Sequence, residues 1–152
     1  MVFERTEKLS PSLQLKLLHV WNSEYPEVLK HNSNSFEQYL KSLVNLQHTV
    51  VTDDDHNFCA WYFEFDRNDE RQFGIIVHHN QQNKGIGKAL LQNAKLTNRK
   101  LSAWVVDTND YYKSDGSAYI SPISFYLKNG FSVEPTRWDS DKIKTVKISW
   151  HK

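Results

Sequence analysis

Gly85-Ile86-Gly87, flanked by Lys84 and Lys88, is the stretch of this chain whose residue types most plainly suggest chemistry. It follows the β-rich run Ile75-Ile76-Val77 and opens a segment with helical periodicity through Leu90, Leu91, Ala94 and Leu96. The first N–H groups of a helix have no intrahelical partner, so a helix starting here points free donors past the end of the strand. That terminus attracts anions, with a partial positive charge of roughly half a unit, and glycine lets a phosphate approach the backbone without meeting a Cβ. Two phosphate patterns fail. Walker A requires a glycine where Gln82 stands and Ser or Thr where Ala89 stands. The dinucleotide fingerprint requires a small residue at Leu90, and no βαβ unit with an acidic residue after its second strand is evident.

The elements that must position this loop follow from pattern. Residues 2 to 8 read as a strand, and Ser10-Pro11 reads as an N-cap with proline at the first helical position, before a stripe running from Leu13 to Trp21. Ser35, with Gln38 three residues on, has the form of a capping box opening a second helix. His48 to Thr52 and Phe58 to Phe65 are β-branched and aromatic, and Asp53 to Asn57 is turn chemistry, so a hairpin is expected. A strand over 72–78 leads into the glycine loop and its helix. Leu101 to Val106 reads as a buried strand, Ser121 to Asn129 as a short helix, and Phe131 to Arg137 with Lys142 to Trp150 as a closing hairpin. The order predicts an α/β protein whose mixed sheet carries helices on both faces.

The whole of 1–152 reads as one domain, with no linker, repeat or low-complexity tract. A formal charge of +1 gives no cationic field for a polyphosphate, so no nucleic acid is expected as partner. Cys59 is the only cysteine, which excludes an intrachain disulfide and a multi-cysteine zinc site. The seven His include no HExxH, and adjacent His78 and His79 would point to opposite strand faces, so no metal is expected. No apolar run is long enough to span a bilayer, and the expectation is a cytoplasmic protein with no membrane partner.

Gln82-Asn83-Lys84-Gly85-Ile86-Gly87-Lys88, preceded by Ile75-Ile76-Val77, closely resembles the Q/RxxGxG/A segment of the GCN5-related N-acetyltransferases (GNAT). Phe125-Tyr126-Leu127-Lys128-Asn129-Gly130-Phe131 is similar to the family's FYxxxGF, a short helix ending at a glycine. Together these matches span residues 72 to 135. The resemblance implies a GNAT-like mixed, mostly antiparallel twisted sheet of about six to seven strands flanked by about four helices. It implies acetyl-CoA as co-substrate and transfer of acetyl to a primary amine, of a small molecule or peptide, by direct attack in a ternary complex. It also implies backbone contacts from Ile76 and Val77 to the pantetheine arm, and a pyrophosphate lined by Gln82, Asn83, Lys84, Gly85, Ile86, Gly87 and Lys88. Tyr126 takes the family position of the general acid that meets the departing thiolate. Asn109 stands near the family's CoA-contacting Asn, with Tyr119 a rival for that place because residues 110–120 are inserted before Tyr126.

The residue that deprotonates the amine is not given by these motifs, since Phe73 to Val77 holds no carboxylate. Glu64 and His78 are the nearest substitutes; a solvated strand glutamate and a surface imidazole are the bland readings of the same residues. Trp21 and Tyr25 at the end of the first helix, and Tyr111 and Tyr112 in the insertion, are candidates for contact with the amine; ordinary packing is the alternative for the first pair and a surface excursion for the second. Many relatives pair through C-terminal strands, so the resemblance allows a homodimer. The competing functions are a non-catalytic acyl-CoA sensor or interaction module, and a structural domain that binds no nucleotide. Gly87→Glu is expected to separate these by abolishing CoA binding with little effect on folding.

Overall fold

Ser10 caps the first helix as its pattern predicts: its Oγ accepts from Leu13 N at 3.2 Å, and Pro11 occupies the first helical position. The structure, a computed structural model, describes all of residues 1–152. Its elements run β1 (Val2–Thr6), α1 (Pro11–Glu24), α2 (Ser33–Ser42), β2 (Val44–Thr52), β3 (Phe58–Arg67), β4 (Glu70–Val77), α3 (Ile86–Thr97), β5 (Lys100–Val106), α4 (Ile123–Lys128), β6 (Ser132–Asp139) and β7 (Lys144–His151). The second helix starts earlier than Ser35. Asn32 is its N-cap, and Ser35 fills the third position of a reciprocal capping box with it. The Ser-x-x-Gln pattern competed with a better Asn-x-x-Ser one three residues upstream.

The seven strands form one sheet in the order β1-β2-β3-β4-β5-β7-β6, and every neighbouring pair is antiparallel except β4 with β5. Period-2 alternation divides β3 between two cores. Trp61, Phe63 and Phe65 pack with Leu17, Trp21, Phe36 and Leu40 of α1 and α2. On the other face Tyr62 joins Phe73 and the α3 and α4 residues Leu90, Leu91, Ala94 and Tyr126. Edge strand β6 is mostly exposed and carries Pro135 inside a register shift between Val133 and Arg137, where the missing N–H costs no ladder bond.

The parallel pair is the feature that makes a site. β4 and β5 are in register only at Gln72 opposite Ser102, near their starts, and diverge beyond. Both residues are buried, and Ser102 Oγ donates to Glu70 Oε2 at 2.8 Å while Lys147 also pairs with Glu70. The strands are thus tied at one end and free to separate at the other.

Candidate active site

His78 N–H donates to Cys59 O on β3, at 2.9 Å. Backbone groups alternate sides along an antiparallel strand, so His78, Ile76 and Gly74 face β3 whereas Ile75 and Val77 face the gap beside β5. The resemblance points to Ile76 and Val77; the pleat turns the backbone of Val77, with that of Ile75, toward the gap, and that of Ile76 toward β3. The carbonyl of Val77 already accepts from Gln82 Nε2 at 3.2 Å, so Gln82 ties the loop back to the strand end.

At the far end of that gap α3 begins where the glycine pattern placed it. Gly85 is the N-cap at φ 82°, a left-handed conformation that disfavours a side chain, and Asn83 is left-handed too at φ 63°. No side chain caps the helix, and the first amides bonded within the chain start at Ala89, which donates to Gly85 O. The N–H groups of Ile86, Gly87 and Lys88 are therefore free to meet a ligand. A Cβ built on Gly85 meets nothing within 4 Å, so the space before the loop is open. Gly87 has a different reason to be glycine: its Cβ would lie 2.9 Å from the Phe125 ring of α4. Gly87→Glu would consequently disturb helix packing as well as any anion, and it does not separate binding from folding. Lys84 and Lys88 are exposed beside the loop, with Lys84 Nζ 3.4 Å from Gln81 Oε1.

Nearer the tied end the gap deepens into a cleft of about 530 Å³, within the size range of small-molecule sites. Tyr126 forms part of its floor, edge-on to Phe73, Phe125 and Phe131. Burial, with nearby Tyr119 second, pushes its phenol well above the ordinary range, so it is protonated throughout neutral pH. Trp21 and Tyr25 reach the same cleft, and Tyr119 packs edge-on to Tyr25 at 6.5 Å. Of the two residues weighed for the place near Asn109, Tyr119 is the one that lines the cleft. Asn109 instead accepts from Ser121 N at 2.8 Å and closes the base of the insertion.

The insertion is an ordered strap. Tyr112 bridges Ala118 around Gly116, Tyr112 O accepts from Glu27 N, and Ser114 Oγ donates to Asn22 O at 2.7 Å. Tyr111 Oη accepts from Lys144 N at 2.8 Å, so the strap joins the α1 side of the cleft to the β6–β7 hairpin. Neither Tyr111 nor Tyr112 lines the cleft itself.

Glu64 and His78 also lie off its walls. Glu64 is buried on the α3 side, where Arg71 Nε holds its carboxylate at 2.6 Å and Asn98 adds a contact at 3.3 Å. His78 caps the turn after β4 by accepting from Asn80 N at 3.2 Å, stacked on His79.

The imidazole that does line the cleft is His31, in the α1–α2 connection. Asn22 grips its backbone twice, accepting from His31 N at 2.9 Å and donating to His31 O at 2.8 Å. Its ring stacks on Tyr39 at 5.5 Å, and its Nδ1 lies 3.0 Å from Ser35 Oγ. Ser35 Oγ also lies 3.3 Å from Asn32 O; with its proton directed there it accepts from His31 Nδ1–H, and in that tautomer the free lone pair of the ring is on Nε2. Burial, then the charge of Lys142, lowers the His31 pKa below 6.5, so the ring is neutral at pH 7. Nothing in the local sequence marks it, because it lies in the connection just before the N-cap Asn32, outside any periodic element.

The acetyltransferase (GNAT) domain family model matches residues 45–133, more than half of the 152 residues, and the chain belongs to this family. Solved structures of the same fold include an aminoglycoside 6'-N-acetyltransferase complexed with coenzyme A, at 11% identity and a TM-score of 0.70 over 99% of this chain and 97% of that one. A variant of the spermidine N-acetyltransferase from Vibrio cholerae is 15% identical with a TM-score of 0.67, covering 99% and 95% of the two chains. The PaiA N-acetyltransferase from Thermoplasma acidophilum, in complex with coenzyme A, is 17% identical with a TM-score of 0.60 over the full length of both. A search of the curated proteins finds no significant match. No helix is long and apolar enough to cross a membrane.

Proposed function

We propose that this chain transfers an acetyl group from acetyl-CoA to a primary amine by direct attack in a ternary complex. The observation that carries the reading is the gap between β4 and β5, open at one end onto the unpartnered amides of α3 and floored at the other by Tyr126. The donor fits this frame: Ile75 and Val77 offer backbone groups along the gap, and the loop 82–88 offers amides and two lysines to a diphosphate. When bound, acetyl-CoA supplies a thioester carbonyl and a thiol leaving group.

The chain's own groups then divide the work. His31 Nε2 takes a proton from the incoming ammonium, which frees the nitrogen lone pair to attack the carbonyl carbon as the C–S bond breaks. Tyr126 holds a hydrogen bond at the departing sulfur. Its phenol is less acidic than a thiol of pKa about 8.5, so full transfer from Tyr126 alone is uphill. Its part is to stabilise developing charge and pass on the second proton that the nitrogen loses as the amide forms. A covalent acetyl-enzyme is not required: Cys59 is fully buried in the core, and burial raises its thiol pKa.

A non-catalytic acyl-CoA sensor draws some support from the lack of any carboxylate in the cleft lining. His31 answers that objection. Thiol release measured across small amines, polyamines, amino acids and peptide N-termini tests the transferase reading; acetyl-CoA binding without release on any of them leaves the sensor.

A further inference from the structure

We propose that the acceptor is a small amine bearing a carboxylate on an apolar or aromatic body. This rests on the transferase reading and narrows it. Among the residues lining the cleft are three cations, Lys30, Arg67 and Lys142, and not one Asp or Glu. Two of the chain's guanidiniums are ion-paired, Arg71 with Glu64 and Asp66, and Arg137 with Asp107 and Asp139. The three cleft cations take part in none of the molecule's ion pairs, so their charge is left for a ligand.

They also converge. Arg67, half-buried at the end of β3, lies over Phe65 at 5.0 Å and close enough to Tyr39 to oppose the rise of its phenol. Lys142, from the β6–β7 turn, acts on His31. His31 and Tyr39 are stacked on each other, and both cations line the cleft beside that pair, Arg67 from the end of β3 and Lys142 from the β6–β7 turn. An anion between them gains charge-assisted hydrogen bonds where aromatic rings exclude part of the water.

The bound donor is not the source of that anion. Arg67 is opposite Glu70 at the start of β4, and the glycine loop follows Val77 at its end. Seven residue steps along the strand separate them by roughly 23 Å, well over a Debye length, and a diphosphate on α3 is out of reach. Charge also selects against the opposite ligand. A polyamine entering this cleft meets three like charges and no carboxylate to hold a second ammonium. The same field favours a neutral reacting nitrogen, which is the form that attacks.

The test compares matched acceptors that differ in the carboxylate: L-phenylalanine with phenethylamine, L-tryptophan with tryptamine, and L-lysine with cadaverine. Thiol release from acetyl-CoA is followed for each, and acetyl-CoA affinity is measured separately. The acid of each pair should show about ten-fold or higher kcat/KM. In an Arg67→Gln/Lys142→Gln double variant that ratio should shrink toward one through a higher KM for the acid, with acetyl-CoA affinity retained. Arg67→Lys, which keeps the charge, should preserve most of the ratio and guards against a loss caused by misfolding. Preference for the decarboxylated or dicationic partner, or a ratio that survives the double variant, overturns the proposal and leaves the transferase standing. Release from no amine at all, with acetyl-CoA still bound, removes both.

Discussion

Tyr126 and His31 approach the same cleft from opposite sides of the sheet, and their protonation states suit opposite tasks. Tyr126 is held neutral by burial and His31 is held unprotonated by burial and Lys142, so at pH 7 one donates and the other accepts. Tyr126→Phe removes one hydroxyl from a packed ring. It should lower kcat by about 10²-fold while acetyl-CoA affinity shifts little, because the bond to sulfur matters only as charge develops. Matching losses in kcat and affinity would deny that role. His31 makes its own prediction through pH. A base whose pKa lies below 6.5 gives an acidic limb in kcat/KM with its midpoint under that value and a plateau through neutrality. His31→Gln should abolish the limb. The groups around the ring are Trp21 and Asn22 of α1, Ser35, Phe36 and Tyr39 of α2, and Lys142 of the β6–β7 turn; only Lys142 adds charge. Lys142→Gln should therefore move the midpoint upward in pH-rate measurements, and an unmoved midpoint would count against His31 as the titrating group.

At the scale of elements, two glycines one residue apart are required for unrelated reasons. Gly85 is needed for its positive φ, with open space where a Cβ would go, so Gly85→Ala should fold and lose about 1 kcal/mol in denaturant melts. Gly87 sits in helical backbone but faces Phe125, so Gly87→Ala should strain the α3–α4 contact, and Phe125→Leu in the same chain should restore part of the lost stability. A pair of mutations whose effects simply add would refute that contact. The pattern of Gly85 and Gly87 made the helix start readable in the sequence, because strand, turn and helix signals change within a few residues there. The same holds for Ser10-Pro11 and for Gly130, which is left-handed at φ 87° just past α4. What stayed hidden depends on contacts distant in sequence. His31 gains its role from Asn22, Ser35 and Lys142, and the cationic character of the cleft comes from three elements that no local period links. The choice of Ile75 over Ile76 was invisible for another reason: it requires knowing which edge of β4 faces β3.

Across the whole molecule, the wall of the cleft is continuous with a buried pair that ties stability to pH. Trp21 packs near Trp61, and Trp61 stacks on Phe63 at 4.5 Å. From the far side Trp61 Nε1 donates to His48 Nδ1 at 3.0 Å, and His48 is 2% exposed. That bond requires a bare Nδ1, so protonating the ring there both charges a buried site and removes the acceptor of the Trp61 N–H. Burial accordingly lowers the His48 pKa from 6.5 to about 4. The unfolded chain binds this proton below about 6.5 and the folded chain only below about 4, so the contribution is present above the upper value and is lost as pH falls through that interval. The loss amounts to as much as about 3 kcal/mol, a sizeable part of the stability of a domain of this size. Below it Glu70 adds to the trend: burial pushes its carboxyl up, but Lys147 and Ser102 outweigh this and hold it below the usual range, so protonation there loosens the tie between β4, β5 and β7. Urea unfolding followed from pH 7.5 to 4 should therefore show a steep fall in stability. A His48→Asn variant, whose amide oxygen can still accept from Trp61, should follow a flatter line over the same interval. Parallel curves for the two proteins would show that acid acts elsewhere in the fold.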